Sequence, residues 1–77
     1  MPTILHKDGF RVFFFSNEGN EPPHVHIEYG GGYAKFWLNP IELSISLRLT
    51  SRQLSKLRNL VEENQEKFNK SWHEYFN

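Results

Sequence analysis

Cysteine is absent from the chain. Disulfides and thiolate metal sites are therefore excluded, and any bound metal would need imidazole, carboxylate or water ligands. Net charge is absent as well, because nine Lys and Arg balance nine Asp and Glu, whereas a general nucleic-acid coat needs a clear basic excess. Long apolar runs are also missing. The longest, Val12 to Phe15, is far too short to span a bilayer or serve as a signal sequence. The expectation is a soluble cytoplasmic protein with no membrane partner. A chain of 77 residues has room for one domain, residues 1–77, near the size where a single core barely offsets chain entropy.

Aromatic residues are plentiful: seven Phe, three Tyr and two Trp, each able to bury a large apolar area. Thr3 to His6 and Phe10 to Ser16 are β-rich runs around Lys7-Asp8-Gly9, and Asp-Gly is a strong two-residue hairpin signal. Asn17 to Pro23 holds Asn, Gly and two prolines and reads as a loop. His24 to Tyr29 and Tyr33 to Leu38 flank three glycines and form a second hairpin. An even-numbered loop that aligns Ile27 with Phe36 and Glu28 with Lys35 keeps like chemistry together. That alternation gathers Val25, Ile27, Ala34, Phe36 and Leu38 on a core face, and His24, His26, Glu28, Lys35 and Trp37 on the other. Ile41, Leu43, Ile45, Leu47 and Leu49 then follow a period of two, as in another half-buried strand.

Thr50 opens a helix with Gln53 as capping-box partner and Leu49 with Leu54 as hydrophobic staple. Leu54, Leu57, Val61, Asn64 and Phe68 form its apolar stripe, while Lys56, Arg58, Glu63 and Lys67 read as solvated. Neither Gly nor Pro interrupts residues 50–77, so one long helix reaching Trp72 or beyond is expected. The fold class is α+β: an antiparallel β-meander of about five strands with one long C-terminal helix packed on one face.

The stretch from Glu21 to Glu28, Glu-Pro-Pro-His-Val-His-Ile-Glu, carries the most chemistry. Residues two apart on a strand share a face, so His24 and His26 can grip one divalent ion, with Glu28, His6 or Glu21 as a third ligand. The simpler expectation is solvated histidines beside Trp37, with no cofactor. The same face offers Arg11, Tyr33, Lys35 and Trp37, together with Phe13 and Phe15, for a protein interface or for stacked RNA bases. Phe13 and Phe15 can instead lie under the Asn17 to Pro23 loop as core. Net neutrality favours a protein partner or a homodimer over nucleic acid. A further patch, Arg48, Arg52 and Lys56, sits at a helix start that natural sequences tend to fill with acids, which suits phosphate or an acidic partner. There is no phosphate loop and no nucleophile elbow, so no catalytic residue is assigned. The alternative is general acid–base cleavage of RNA by His24 or His26.

The segments Met1-Pro-Thr-Ile-Leu, Phe13-Phe-Phe-Ser-Asn-Glu, Glu21-Pro-Pro-His-Val-His, Ala34-Lys-Phe-Trp-Leu and Trp72-His-Glu-Tyr-Phe resemble a family of small bacterial domains of unknown function, DUF4160. The likeness covers nearly the whole chain. His6 stands where relatives often have arginine, and Asn39 where they often have an acid. The resemblance implies a place in compact two-gene modules of toxin–antitoxin type, beside a small partner protein encoded nearby. The leading expectation is therefore a binding component acting through protein contacts. The rival is an RNA-acting or metal-dependent toxin using His24 and His26.

Overall fold

A computed structural model describes residues 3–76. Met1 and Pro2 of the first resembling segment lie outside the described residues, as does Asn77 at the other end of the expected domain. Five strands, β1 (Thr3–Lys7), β2 (Phe10–Phe13), β3 (His24–Tyr29), β4 (Gly32–Leu38) and β5 (Ile41–Leu47), form one antiparallel sheet in sequential order. Two helices follow, α1 (Ser51–Glu63) and α2 (Gln65–Phe76).

The first hairpin closes on Asp8 and Gly9 with Lys7 opposite Phe10. Both turn residues have positive φ, 51° and 83°, the handedness that matches the twist of the flanking strands. β2 stops at Phe13 rather than reaching Ser16, and Phe14 turns in to pack on the rings of Trp72, Tyr75 and Phe76. In the second hairpin the two faces are as expected, but the register is displaced by two residues. Ile27 faces Ala34 and Glu28 faces Tyr33 around a tight Gly30-Gly31 turn. Glu28 is thus not opposite Lys35, and Gly32, opposite Tyr29, lies so close to Arg48 and Leu49 that a side chain there would clash.

β5 departs most from simple alternation. Phe36 faces Leu43 whereas Lys35 faces Ile45, so the strand carries a bulge at Ser44. An extra residue rotates all that follows to the opposite face. Ile41 and Leu43 stay with Leu38 and Phe36 on the core face, but Ile45 and Leu47 join Lys35 and Tyr33 on the other. There they are 42% and 58% exposed. The uniform half-buried strand expected over Ile41 to Leu49 is therefore split in two by the bulge.

The capping box at Thr50 is complete: Gln53 N–H donates to Thr50 Oγ1 at 3.1 Å, and Thr50 N–H donates to Gln53 Oε1 at 2.8 Å. The single long helix is not observed. Asn64 leaves helical geometry at φ −117° and ψ 16° and serves both segments. Its backbone N–H and side-chain amide donate to Leu60 O, ending α1, while its carbonyl accepts from Phe68 N–H and starts α2. The break re-aims the second segment. Gln65 Nε2 then donates to Leu38 O at 2.7 Å, and the Asn69 and Asn39 amides pair with each other at 2.7 and 3.1 Å, fixing α2 to the end of β4.

The core lies between the sheet and the helices. Val12, Val25, Ile27, Ala34, Phe36 and Leu38 meet Leu57, Val61 and Phe68, all buried. Each large apolar side chain buried there contributes about 1.5–3 kcal/mol.

Candidate functional site

Pro22 and Pro23 have no backbone N–H to donate to a ladder, and β3 begins directly after them at His24. Strand alternation then places His24 and His26 on the same face, opposite Trp37 and Lys35 of β4, with Phe13 of β2 opposite His26. Both rings are buried, at 0% and 4% exposure, so the expectation of solvated histidines is corrected. Trp37 and Trp72 pack against His24. Phe13, Phe15 and Tyr33 surround His26. Of the two phenylalanines, Phe13 is core and Phe15 is on the surface.

The carboxylate at the two rings is Glu18. Its Oε1 lies 3.0 Å from His24 Nε2, and its Oε2 lies 3.0 Å from His26 Nε2. Glu18 Oε1 also accepts the Phe15 N–H at 2.9 Å, which curls the loop so that the carboxylate points inward. On the far side of each imidazole a second partner fixes the ring. His24 Nδ1 donates to Pro22 O at 2.9 Å, and His26 Nδ1 is hydrogen-bonded to the Tyr33 hydroxyl. One ligand atom from each of Glu18, His24 and His26 falls within 4.8 Å of the others.

Burial makes charge expensive here and lowers the His26 pKa from its ordinary value, outweighing the nearby Glu18 carboxylate, which acts in the opposite sense. For Glu18, burial pushes upward, but the Phe15 N–H, the His26 hydrogen bond and the proximity of His24 together hold its pKa below the usual value. Burial, aided by the Glu18 charge, raises the Tyr33 pKa, so its hydroxyl stays protonated at neutral pH.

The other residues singled out in the sequence fall into two groups. Glu28 shares the face of the histidines but pairs with Arg11 at 2.7 Å instead of joining them. Lys35 pairs with Glu21 at 3.2 Å and lies over the Trp37 ring, so Glu21 too is engaged elsewhere. His6 is exposed on β1. Arg11, Tyr33, Lys35 and Trp37 do share the face opposite the helices, each half-buried. Arg48, Arg52 and Lys56 are exposed, but Lys56 lines a shallow groove with Lys7, Asp8 and Glu63, where cations and acids alternate. Sequence reasoning missed Glu18, which has neither strand nor helix periodicity to mark it. The only available sign was an acid inside a loop that leads directly into two histidines.

The model for the family described as "Domain of unknown function (DUF4160)" matches residues 9–73. No curated protein and no solved structure matches the chain. The matched span contains the whole Glu18, His24 and His26 cluster, strands β2 to β5 and both helices as far as His73. The chain belongs to the DUF4160 family.

Proposed function

We propose that this protein is the binding component of a cytoplasmic, bacterial two-gene module of toxin–antitoxin type, and that it engages a small partner protein through the sheet face opposite the helices. The observation that carries this reading is the bulge in β5, which turns Ile45 and Leu47 outward beside Lys35 and Tyr33. An edge strand normally carries charges or prolines that discourage pairing. Between Glu42 and Arg48, β5 has none, only Ser and aliphatic residues. Its free edge offers backbone groups to an added strand, and the aliphatic and aromatic side chains beside it offer area.

Charge on this face favours protein over nucleic acid. Arg11 and Lys35 each hold a carboxylate, Glu28 and Glu21, so neither is free to neutralise a phosphate without breaking an ion pair. Cleavage of RNA by His24 and His26 would require a phosphate to reach rings that are almost wholly buried, which ranks that reading lower.

Co-expression with the product of the adjacent gene, followed by co-purification and growth measurement, tests the proposal. The native chain should retain the partner. Ile45→Lys with Leu47→Lys should release it while circular dichroism stays unchanged, because both side chains are exposed in the free protein. Retention of the partner by that variant, or no association by the native chain, would overturn it.

A further inference from the structure

We propose that Glu18, His24 and His26 form a binding site for one divalent transition-metal ion of the zinc type, and that the ion ties the loop before β3 to the sheet. The inference is independent of partner binding.

Hydrogen-bond accounting leads to it. The Pro22 carbonyl can only accept, so His24 Nδ1 donates to it, and Nε2 is the ring atom turned towards Glu18. That atom is fully buried and has no hydrogen-bond partner among the described residues, yet a carboxylate oxygen stands 3.0 Å away. A buried polar atom left without a hydrogen-bond partner is costly. A cation between the atoms satisfies both.

The surroundings are those a metal ligand needs. Each imidazole is held from behind, by the Pro22 carbonyl and by the Tyr33 hydroxyl. The Pro22 carbonyl fixes the His24 tautomer, and the Tyr33 hydroxyl, which can donate or accept, orients the His26 ring. Metal–ligand bonds of about 2.0–2.1 Å in a tetrahedral site place ligand atoms roughly 3.3 Å apart. The two imidazole-to-carboxylate separations of 3.0 Å need only a small outward movement. Two nitrogens and a carboxylate suit zinc, cobalt or nickel, whereas magnesium and calcium prefer oxygen throughout. Glu18 is the most accessible of the three, its side chain 13% exposed, so the ion enters from the loop side. A water or the second Glu18 oxygen completes the coordination.

The test uses full-length protein stripped with a chelator, cobalt as a spectroscopic probe and zinc as competitor. One equivalent of cobalt should produce the visible absorption of a low-symmetry nitrogen and oxygen site, and zinc should abolish it while raising the melting temperature. Substitution of a buried histidine can prevent folding, so Glu18→Gln carries the argument; it keeps the side-chain shape and should weaken zinc binding by about tenfold or more. Tyr33→Phe removes only the group behind His26 and should weaken it by about 10- to 100-fold. Replacing the exposed His6 and His73 by Ala should change nothing. No cobalt spectrum, unaltered affinity in Glu18→Gln, or binding lost with His6 and His73 would each overturn the site.

Discussion

At the scale of single residues, the buried pair of His26 and Glu18 makes the chelator-treated protein sensitive to acid. The His26 pKa is lower in the folded chain than its ordinary value of 6.5, so the unfolded chain takes up the proton first as pH falls. Stability is therefore complete above about pH 6.5 and is lost as pH falls towards the folded value. Glu18 behaves in the same sense further down, since its folded pKa also lies below the ordinary 4.5, and its contribution disappears as the carboxylate protonates. Urea midpoints measured from about pH 8 down to about pH 2 should decline in two stages, the second beginning below about pH 4.5, and Glu18→Gln should remove the lower one. A midpoint that rises on acidification would contradict the assignment of His26 as a buried neutral ring. Glycine offers a second residue-level comparison. A Cβ on Gly32 would stand 2.7 Å from Arg48 O and against a Leu49 methyl carbon, so something must move. Gly32→Ala should destabilise by about 1–3 kcal/mol, as overpacking does. Gly31 meets nothing within 4 Å, and Gly31→Ala should be neutral or stabilise by about 0.4–1 kcal/mol through the unfolded chain. Thermal denaturation of the two variants side by side distinguishes them.

At the scale of elements, the features readable in the sequence were those governed by neighbours along the chain. Asp8-Gly9 specifies its turn by backbone sterics alone, and Thr50 with Gln53 specifies a helix start through two hydrogen bonds three residues apart. Thr50→Ala should therefore cost about 1 kcal/mol, read as a lower urea midpoint with an unchanged slope, whereas Thr50→Ser should be nearly silent. The departures arise where distant residues decide. Asn64 fits the apolar stripe by position, but its amide reaches back to Leu60 O while Gln65 finds Leu38 O across the sheet, so tertiary contacts end a helix that local propensity would continue. The β5 bulge has no local mark either, since Leu43, Ser44 and Ile45 alternate smoothly. What selects it is the pairing with Phe36 and Lys35 on β4. The candidate site divides along the same line. Strand periodicity placed His24 and His26 together, with Arg11, Tyr33, Lys35 and Trp37 on their face, but Glu18 reaches them from an irregular loop, and no repeat in the sequence encodes that approach.

At the scale of the whole molecule, no disulfide supplements the core, and no helix among the described residues is long and apolar enough to cross a membrane. Stability must come from the packed layers. A domain of this length is typically stable by about 4–12 kcal/mol, at 0.05–0.15 kcal/mol per residue. Within that margin α2 is indispensable. It places Phe68 in the central core and Trp72 against His24 and Phe14, with both side chains at most 3% exposed. Losing one such aromatic costs about 3–5 kcal/mol, so losing both removes most or all of the expected stability before the Leu38, Asn39 and Phe14 contacts are considered. A chain ending at Asn64 should accordingly show no cooperative thermal transition and poor chemical-shift dispersion, although all five strands and α1 remain in its sequence. Adding residues 65–77 as a separate peptide should restore a transition, because the surface that α2 covers is apolar and continuous with the sheet core. If the truncated chain instead melts cooperatively on its own, the sheet and α1 form a self-sufficient unit, and α2 serves chiefly to close the ring of aromatic residues around His24.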